Sequence, residues 1–225
     1  MSSLTDYITK RYEPISGEAQ PVKLKMDRNS LPKLFSKFGY KVGAEIGVSK
    51  GRYSREICRR TRELKLYCVD PWESYTDYVE RKGEGGKRAL LRHYEEAKKR
   101  LKPYNCEFLK MTSMEAVKQF KDGSLDFVYI DGNHTFEYVI NDIAEWSKKV
   151  RKGGIISGHD YWNSAEGFGN NHLNLDLFIK NLTPQEKIKI CQVKDAVDMW
   201  TYTNKIKMWF VTSIDDMGTW FWVNE

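Results

Sequence analysis

The chain has 225 residues, of which 40% are hydrophobic and 30% charged, with a net charge of +6 and a sequence pI near 9.0. That balance excludes a disordered polymer and suits one large folded domain, or one domain with an appendage. No apolar run reaches the roughly 20 residues that span a bilayer, and MSSLTDYITKRYEP lacks the apolar centre of a secretory signal, so a cytoplasmic protein is expected.

The basic excess keeps nucleic acid or an anionic ligand in view. Lysines and arginines are spread widely, however, with the densest clusters at 59–65 and 98–102, and no aromatic-basic RNA-binding motif accompanies them. Solvated helix faces account for them, and nucleic acid is not the expected partner. Cys58, Cys68, Cys106 and Cys191 form no CxxC pair. They read as reduced residues of the core, not as a disulfide framework or a zinc site.

Residues 1–30 are polar and weakly patterned, an arm or partial lid ahead of a domain over 31–225. KVGAEIGV (41–48) reads as a buried strand and GRYSREICRR as the helix after it. LKLYCVD (64–70) is a second strand. Residues 72–101 form an insertion that holds the break KGEGGK and the basic helix RALLRHYEEAKKRLK. CEFLKM (106–111) is a third strand, followed by a short helix through MEAVKQF, and LDFVYID (125–131) is a fourth.

In FEYVINDIAEWSKKVRK, Phe136, Ile140, Ile143, Trp146 and Val150 recur at three- and four-residue steps, so one helical face packs on the sheet. Gly153 and Gly154 are expected to stop that helix. GGIISGHDY (153–161) carries a fifth strand, and a Gly/Asn-rich insertion follows over 162–182. VKDAVDMWTYTN reads as a helix. KMWFVTS and TWFWVNE flank the turn IDDMG as an antiparallel hairpin, expected on the sheet edge. The predicted class is α/β: a Rossmann-like, mostly parallel sheet with helices on both faces and a C-terminal antiparallel hairpin.

In open α/β sheets the ligand lies beyond the carboxyl ends of the strands. EIGVSKG (45–51) joins the first strand to its helix without the GxGxxG spacing and without a Walker lysine, which disfavours dinucleotide and nucleoside-triphosphate readings. Asp70 closes the second strand, where an acid accepts both hydroxyls of a ribose.

With E-I-G-V-x-x-G, V-D-P-W, D-G-S-L-D-F-V-x-I-D-G-x-H and G-G-x-x-x-G-H-D-Y, residues 38–162 resemble the class I S-adenosylmethionine-dependent methyltransferases, most of all their small-molecule O-methyltransferase branch. The resemblance implies that Glu45, Gly47 and Ser49 lie along the methionine part of S-adenosylmethionine. Asp70 would hold the ribose with Trp72 beside it, Ser113 and Met114 would border the adenine, and Asp131 would close the site. Asp142, inside the helix, reads as a solvated or capping charge.

Asp131, His134, His159 and Asp160 converge from the ends of adjacent strands. Metal-dependent O-methyltransferases of catechol and macrolide-sugar type are similar here. The likeness implies that Asp131, His159 and Asp160 face a divalent metal, magnesium or manganese, and that His134 is the base. One position departs from that pattern. The pair after the fifth strand is usually two oxygen donors, and His159 replaces one of them. An imidazole favours manganese, iron or zinc over magnesium, or else His159 holds Asp160 from outside the coordination shell.

The expected activity is methyl transfer to a hydroxyl of a small acceptor, a sugar or a phenol-like compound. The competing readings are a metal-independent enzyme using His134 alone, a nucleic-acid methyltransferase, an NAD-dependent oxidoreductase and a non-catalytic cofactor-binding module.

Overall fold

The computed structural model describes residues 4–15, 20–73, 86–162, 191–214 and 217–225. The apolar runs become strands β1 (Val22–Leu24), β2 (Val42–Ile46), β3 (Lys65–Val69), β4 (Cys106–Leu109), β5 (Leu125–Ile130), β6 (Val150–Gly158), β7 (Phe210–Thr212) and β8 (Trp220–Val223). They form one sheet in the order β1-β7-β8-β6-β5-β2-β3-β4. Among the described strands only β8 runs antiparallel, against both β6 and β7. Most of KGEGGK, the insertion beyond Trp162, and Asp215 and Asp216 of the turn lie outside the described residues.

Alternation along each strand gives the sheet two apolar faces. In β5, Phe127 and Tyr129 point one way and Val128 and Ile130 the other, and all four are buried. The first face is covered by α1 (Leu4–Arg11), α2 (Leu31–Lys37), α3 (Arg52–Arg60) and α4 (Gly86–Leu101). There Phe35 of α2 stacks on Phe127 at 3.9 Å between ring centroids. The second face is covered by α5 (Ser113–Ala116), α6 (Phe136–Lys149) and α7 (Val193–Thr203). No helix among the described residues is long and apolar enough to cross a membrane.

Two expectations are corrected. The C-terminal hairpin does not form the sheet edge: β1 pairs in parallel with β7 through Val22–Phe210, Lys23–Val211 and Leu24–Thr212, and takes the outer position. Three residues are too few to show a period, so VKL left no strand signal. Helix α6 also stops earlier than the two glycines. It ends at Lys149, because Val150 is already extended and pairs with Leu125 of β5.

The N-terminal segment, expected as an arm or partial lid, buries Ile8 of α1 in the core and then crosses to α2 through a short 3-10 turn, Arg28–Ser30. Strand order reverses at β2, whose neighbours are β3 on one side and β5 on the other. That switch point opens a crevice at the strands' carboxyl ends.

Candidate active site

A cavity of about 470 Å³ lies in this crevice. Ile46 and Gly47 after β2, Asp70 and Pro71 after β3, Ser113 and Met114 after β4, Gly132 and Asn133 after β5, and Asp142 on α6 contribute to its wall. Gly47 has φ +89°, and a Cβ there would come within 2.0 Å of the Asp131 carbonyl oxygen. Only glycine lets β2 and β5 end this close together.

Asp70, expected to hold a ribose, borders the cavity while bracing the loops around it. Its Oδ2 accepts from the Val48 and Ser49 N–H groups at 3.1 and 2.8 Å, and its Oδ1 from the Trp72 N–H at 2.7 Å. Ser49, in a left-handed conformation, accepts at its carbonyl from Trp72 Nε1 at 2.8 Å. Trp72 itself is buried against Tyr94 and Phe108 and is absent from the cavity wall. Its role is to support the Asp70 loop from below. Gly47, Asp70, Ser113 and Met114 thus share one cavity, while Ser49 and Trp72 act behind it.

Glu45 is 1% exposed, and its Oε2 has no hydrogen-bond partner among the described residues. Burial, reinforced by the charge of Asp131, pushes its carboxyl up to about 8 against the opposing effects of Ser54 and Arg28. Asp142, 5% exposed, is likewise raised to about 7 by burial, with the Ser113 hydroxyl opposing. Each raised acid keeps its proton in the folded state where the unfolded chain has lost it. Stability is therefore full below the unfolded values near 4 and is lost as pH rises through the folded values of about 7 and 8. Thermal unfolding from about pH 5 to 8 is expected to show a falling melting temperature, on the order of a few kcal/mol in total. Glu45→Gln should flatten that slope, and an unchanged slope would refute the assignment.

Beside the cavity, Asp131, His134 and Asp160 each bring one ligand atom within 4.8 Å of the others. Strand pairing explains why. The Asp131 N–H donates to Ile46 O at 2.7 Å and the His159 N–H to Ile130 O at 3.0 Å, so the ends of β2, β5 and β6 are locked in register. Asn133 Oδ1 accepts from the Thr135 N–H at 3.0 Å, making the turn that starts α6. The cap of α6 comes from a distance: Gln192 Oε1 accepts from the Phe136 N–H at 3.1 Å, and the His134 carbonyl accepts from the Gln192 N–H at 2.8 Å.

His134 Nε2 lies 3.1 Å from Asp160 Oδ2 and 3.7 Å from Asp131 Oδ1. His159 does not join this trio. Its Nδ1 meets Asp160 Oδ1 at 2.9 Å, the position of a residue that orients a ligand from outside. The residues that converge on one point are therefore Asp131, His134 and Asp160, whereas the sequence pointed to Asp131, His159 and Asp160. Two carboxylates and one imidazole fit a divalent first-row metal such as manganese, iron or zinc better than magnesium. Asp160 has φ +56°, a left-handed conformation that Asp tolerates better than most residues.

Arg28, from the N-terminal segment, was not foreseen. Its Nη2 donates to Asp131 Oδ2 at 3.1 Å, and its guanidinium lies 4.1 Å from the centre of the Tyr53 ring. Burial pushes the Asp131 carboxyl up, but His134, His159 and Arg28 together outweigh it and hold the group below the usual carboxylate range.

A parallel sheet closed by one antiparallel strand, with acids and a histidine at its carboxyl ends around a cofactor-sized crevice, defines a Rossmann-like methyltransferase. The chain belongs to the methyltransferase-domain family whose model matches residues 44–161.

An uncharacterised protein of Sinorhizobium fredii, y4gI, is 22% identical over 128 residues, which are 57% of this chain and 13% of that protein. The chain thus spans about an eighth of that relative's length. Among solved structures, the O-methyltransferase from Bacillus cereus in complex with S-adenosylhomocysteine superposes with a TM-score of 0.57 at 15% identity, covering 88% of this chain and 80% of its own. TomG from Streptomyces achromogenes, an O-methyltransferase involved in tomaymycin synthesis and solved with S-adenosylmethionine, gives 0.56 at 14% identity, covering 100% of this chain and 91% of its own. A putative caffeoyl-CoA O-methyltransferase from Staphylococcus aureus gives 0.57 at 12% identity, covering 100% and 93%. At these identities the likeness is one of fold.

Proposed function

We propose that the protein moves the methyl group of S-adenosylmethionine to a hydroxyl of a small molecule, a sugar or a phenol-like compound. The observation that carries this reading is the Asp131–His134–Asp160 cluster at the mouth of the crevice, joined to the cavity by Gly132 and Asn133. The cavity suits the cofactor's adenosine: Ile46, Val69, Pro71 and Met114 offer apolar walls, and Asp70 and Asp142 offer acceptors. Among its charged wall residues only acids occur, which suits a ligand bearing a sulfonium cation.

Asp70 faces the ribose, and the glycine turn at Gly47 lets the methionine end lie close to the backbone. The His134 ring takes the acceptor's proton, and the carboxylates of Asp131 and Asp160, which face its Nε2, stabilise the imidazolium so formed. His159 and Arg28 hold those carboxylates in place. A divalent metal on Asp131 and Asp160, with His134 beside it, would lower the acceptor's pKa and orient its hydroxyl. In the second reading, a metal-independent enzyme, the 3.1 Å contact with Asp160 orients the His134 base. Thiols that are not joined in disulfides, with Cys58 and Cys106 sulfurs 3.6 Å apart, suit the reducing cytoplasm.

Calorimetric titration of S-adenosylhomocysteine, with NAD as control, tests the cofactor. Saturable binding of the former alone is expected, and a preference for NAD would overturn the reading. An acceptor screen with and without manganese then separates the two mechanisms. Turnover that manganese stimulates and a chelator abolishes supports the first, and turnover that neither changes supports the second.

A further inference from the structure

We propose that Cys58 and Cys106 are a peroxide-sensitive thiol pair, oxidised in the folded protein to a reversible intramolecular disulfide. Their sulfurs lie 3.6 Å apart, one on α3 and the other on β4. The two positions are 48 residues apart in sequence, so the fold brings them together. Cys106 opens β4, the outermost strand in the sheet order, and is partly exposed between the exposed Asn105 and Glu107. Cys58 is 7% exposed behind it, and Cys68 is fully buried. A peroxide molecule therefore meets Cys106 first.

The neighbouring sulfurs prepare Cys106 for that encounter. Leu66 of β3 pairs with Cys106, which puts Cys68 a diagonal step away on the same face of the sheet. Hydrogen bonds from Cys58 and Cys68 favour the Cys106 thiolate and hold its pKa below that of an ordinary thiol, with burial opposing. Those same hydrogen bonds, with burial, push Cys58 and Cys68 up. Negative charge in the trio thus settles on the accessible sulfur, and the thiolate is the reactive form.

The Cys106 thiolate attacks one peroxide oxygen. The O–O bond breaks, hydroxide leaves and takes up a proton, and a sulfenic acid remains. Cys58 gives up its proton and its sulfur attacks the sulfenic sulfur. The S–S bond forms, the S–O bond breaks, and water leaves. Two electrons have then passed from the sulfurs to the peroxide. The sulfurs close from contact at 3.6 Å to about 2.0 Å. The bond ties β4 to α3, whose first turn places Tyr53 against the Arg28 guanidinium. Cys191 is buried on the other face of the sheet, its Sγ 3.2 Å from Trp162 O, and serves as an internal control.

The test exposes the folded full chain to hydrogen peroxide, unfolds it in an alkylating agent, and digests it without reductant. Free thiols should fall from four to two. One Cys58–Cys106 peptide pair should appear in the mass spectrum and vanish with dithiothreitol. Cys106→Ser should slow thiol loss by about tenfold or more, because the remaining thiols are buried and protonated. Cys68→Ser should keep the bridge. A Cys68–Cys106 bridge, a bridge between copies, or Cys106 oxidised to sulfinic acid beside a reduced Cys58 would overturn the inference. Survival of all four thiols at peroxide concentrations that oxidise free cysteine would overturn it as well. The wild-type peptide map decides these outcomes without requiring any variant to fold.

Discussion

Replacing His134 with glutamine is expected to slow methyl transfer by about 10²- to 10⁴-fold, the usual contribution of a positioned general base. Binding of S-adenosylhomocysteine should stay within a few-fold of the wild type, on the order of 1 kcal/mol or less. The separation follows from the geometry. His134 is 15% exposed between two carboxylates and does not border the cavity. Glutamine preserves the polar volume between Asp131 and Asp160 but cannot take up a proton near neutral pH. The acidic limb of the pH–rate profile should therefore vanish in the variant. Steady-state kinetics across pH, with the acceptor found by screening, would decide the matter. A variant that keeps both turnover and that limb would remove His134 from the chemistry.

Trp146→Ala should destabilise the protein by about 3–5 kcal/mol, the range for truncating a buried aromatic. Trp146 is fully buried, and its ring lies 5.2 Å from that of Phe120. Its removal opens a void between α6 and the sheet that rigid neighbours fill only in part. It also deprives Ser113 of its indole donor, so the damage extends to the cavity wall. For a chain of this length the loss corresponds to roughly 6–20 °C in melting temperature. Trp146→Phe should recover much of the packing without the hydrogen bond. A melting temperature within 2–3 °C of the wild type for the alanine variant, a change of roughly 1 kcal/mol, would contradict the packing described.

The apolar runs made most strands legible, because five of them are bounded by turns and are long enough to show themselves. The acids at their carboxyl ends, Asp70, Asp131 and Asp160, followed from topology alone, since a parallel sheet delivers every strand end to one crevice. The roles within the cluster were less legible. Adjacent His159 and Asp160 look equivalent in sequence, yet only the backbone turn at Asp160 decides which of them faces His134.

Arg28 lies 103 positions from its partner Asp131 in a stretch without periodicity, so no local signal existed. For Asp142 a signal did exist. Val139, Asp142 and Trp146 stand three and four residues apart, and a carboxylate on that stripe had to be buried. Reading it as a solvated charge ignored the face on which it sits. Trp72 shows the opposite error, a conspicuous aromatic drawn toward the ligand when its indole serves the backbone beneath.

The parallel pairing of Val22 with Phe210 has a consequence for the order in which the molecule is made. During synthesis β1 has no neighbour in the sheet until β7, which follows β6 in sequence, leaves the ribosome. Long-range closures of this kind come late and slowly. Arg28 lies just after β1, so the guanidinium that steadies Asp131 reaches its place only as β1 and β7 meet. The nascent protein can thus assemble the central strands and the crevice well before the Asp131–His134–Asp160 cluster is complete.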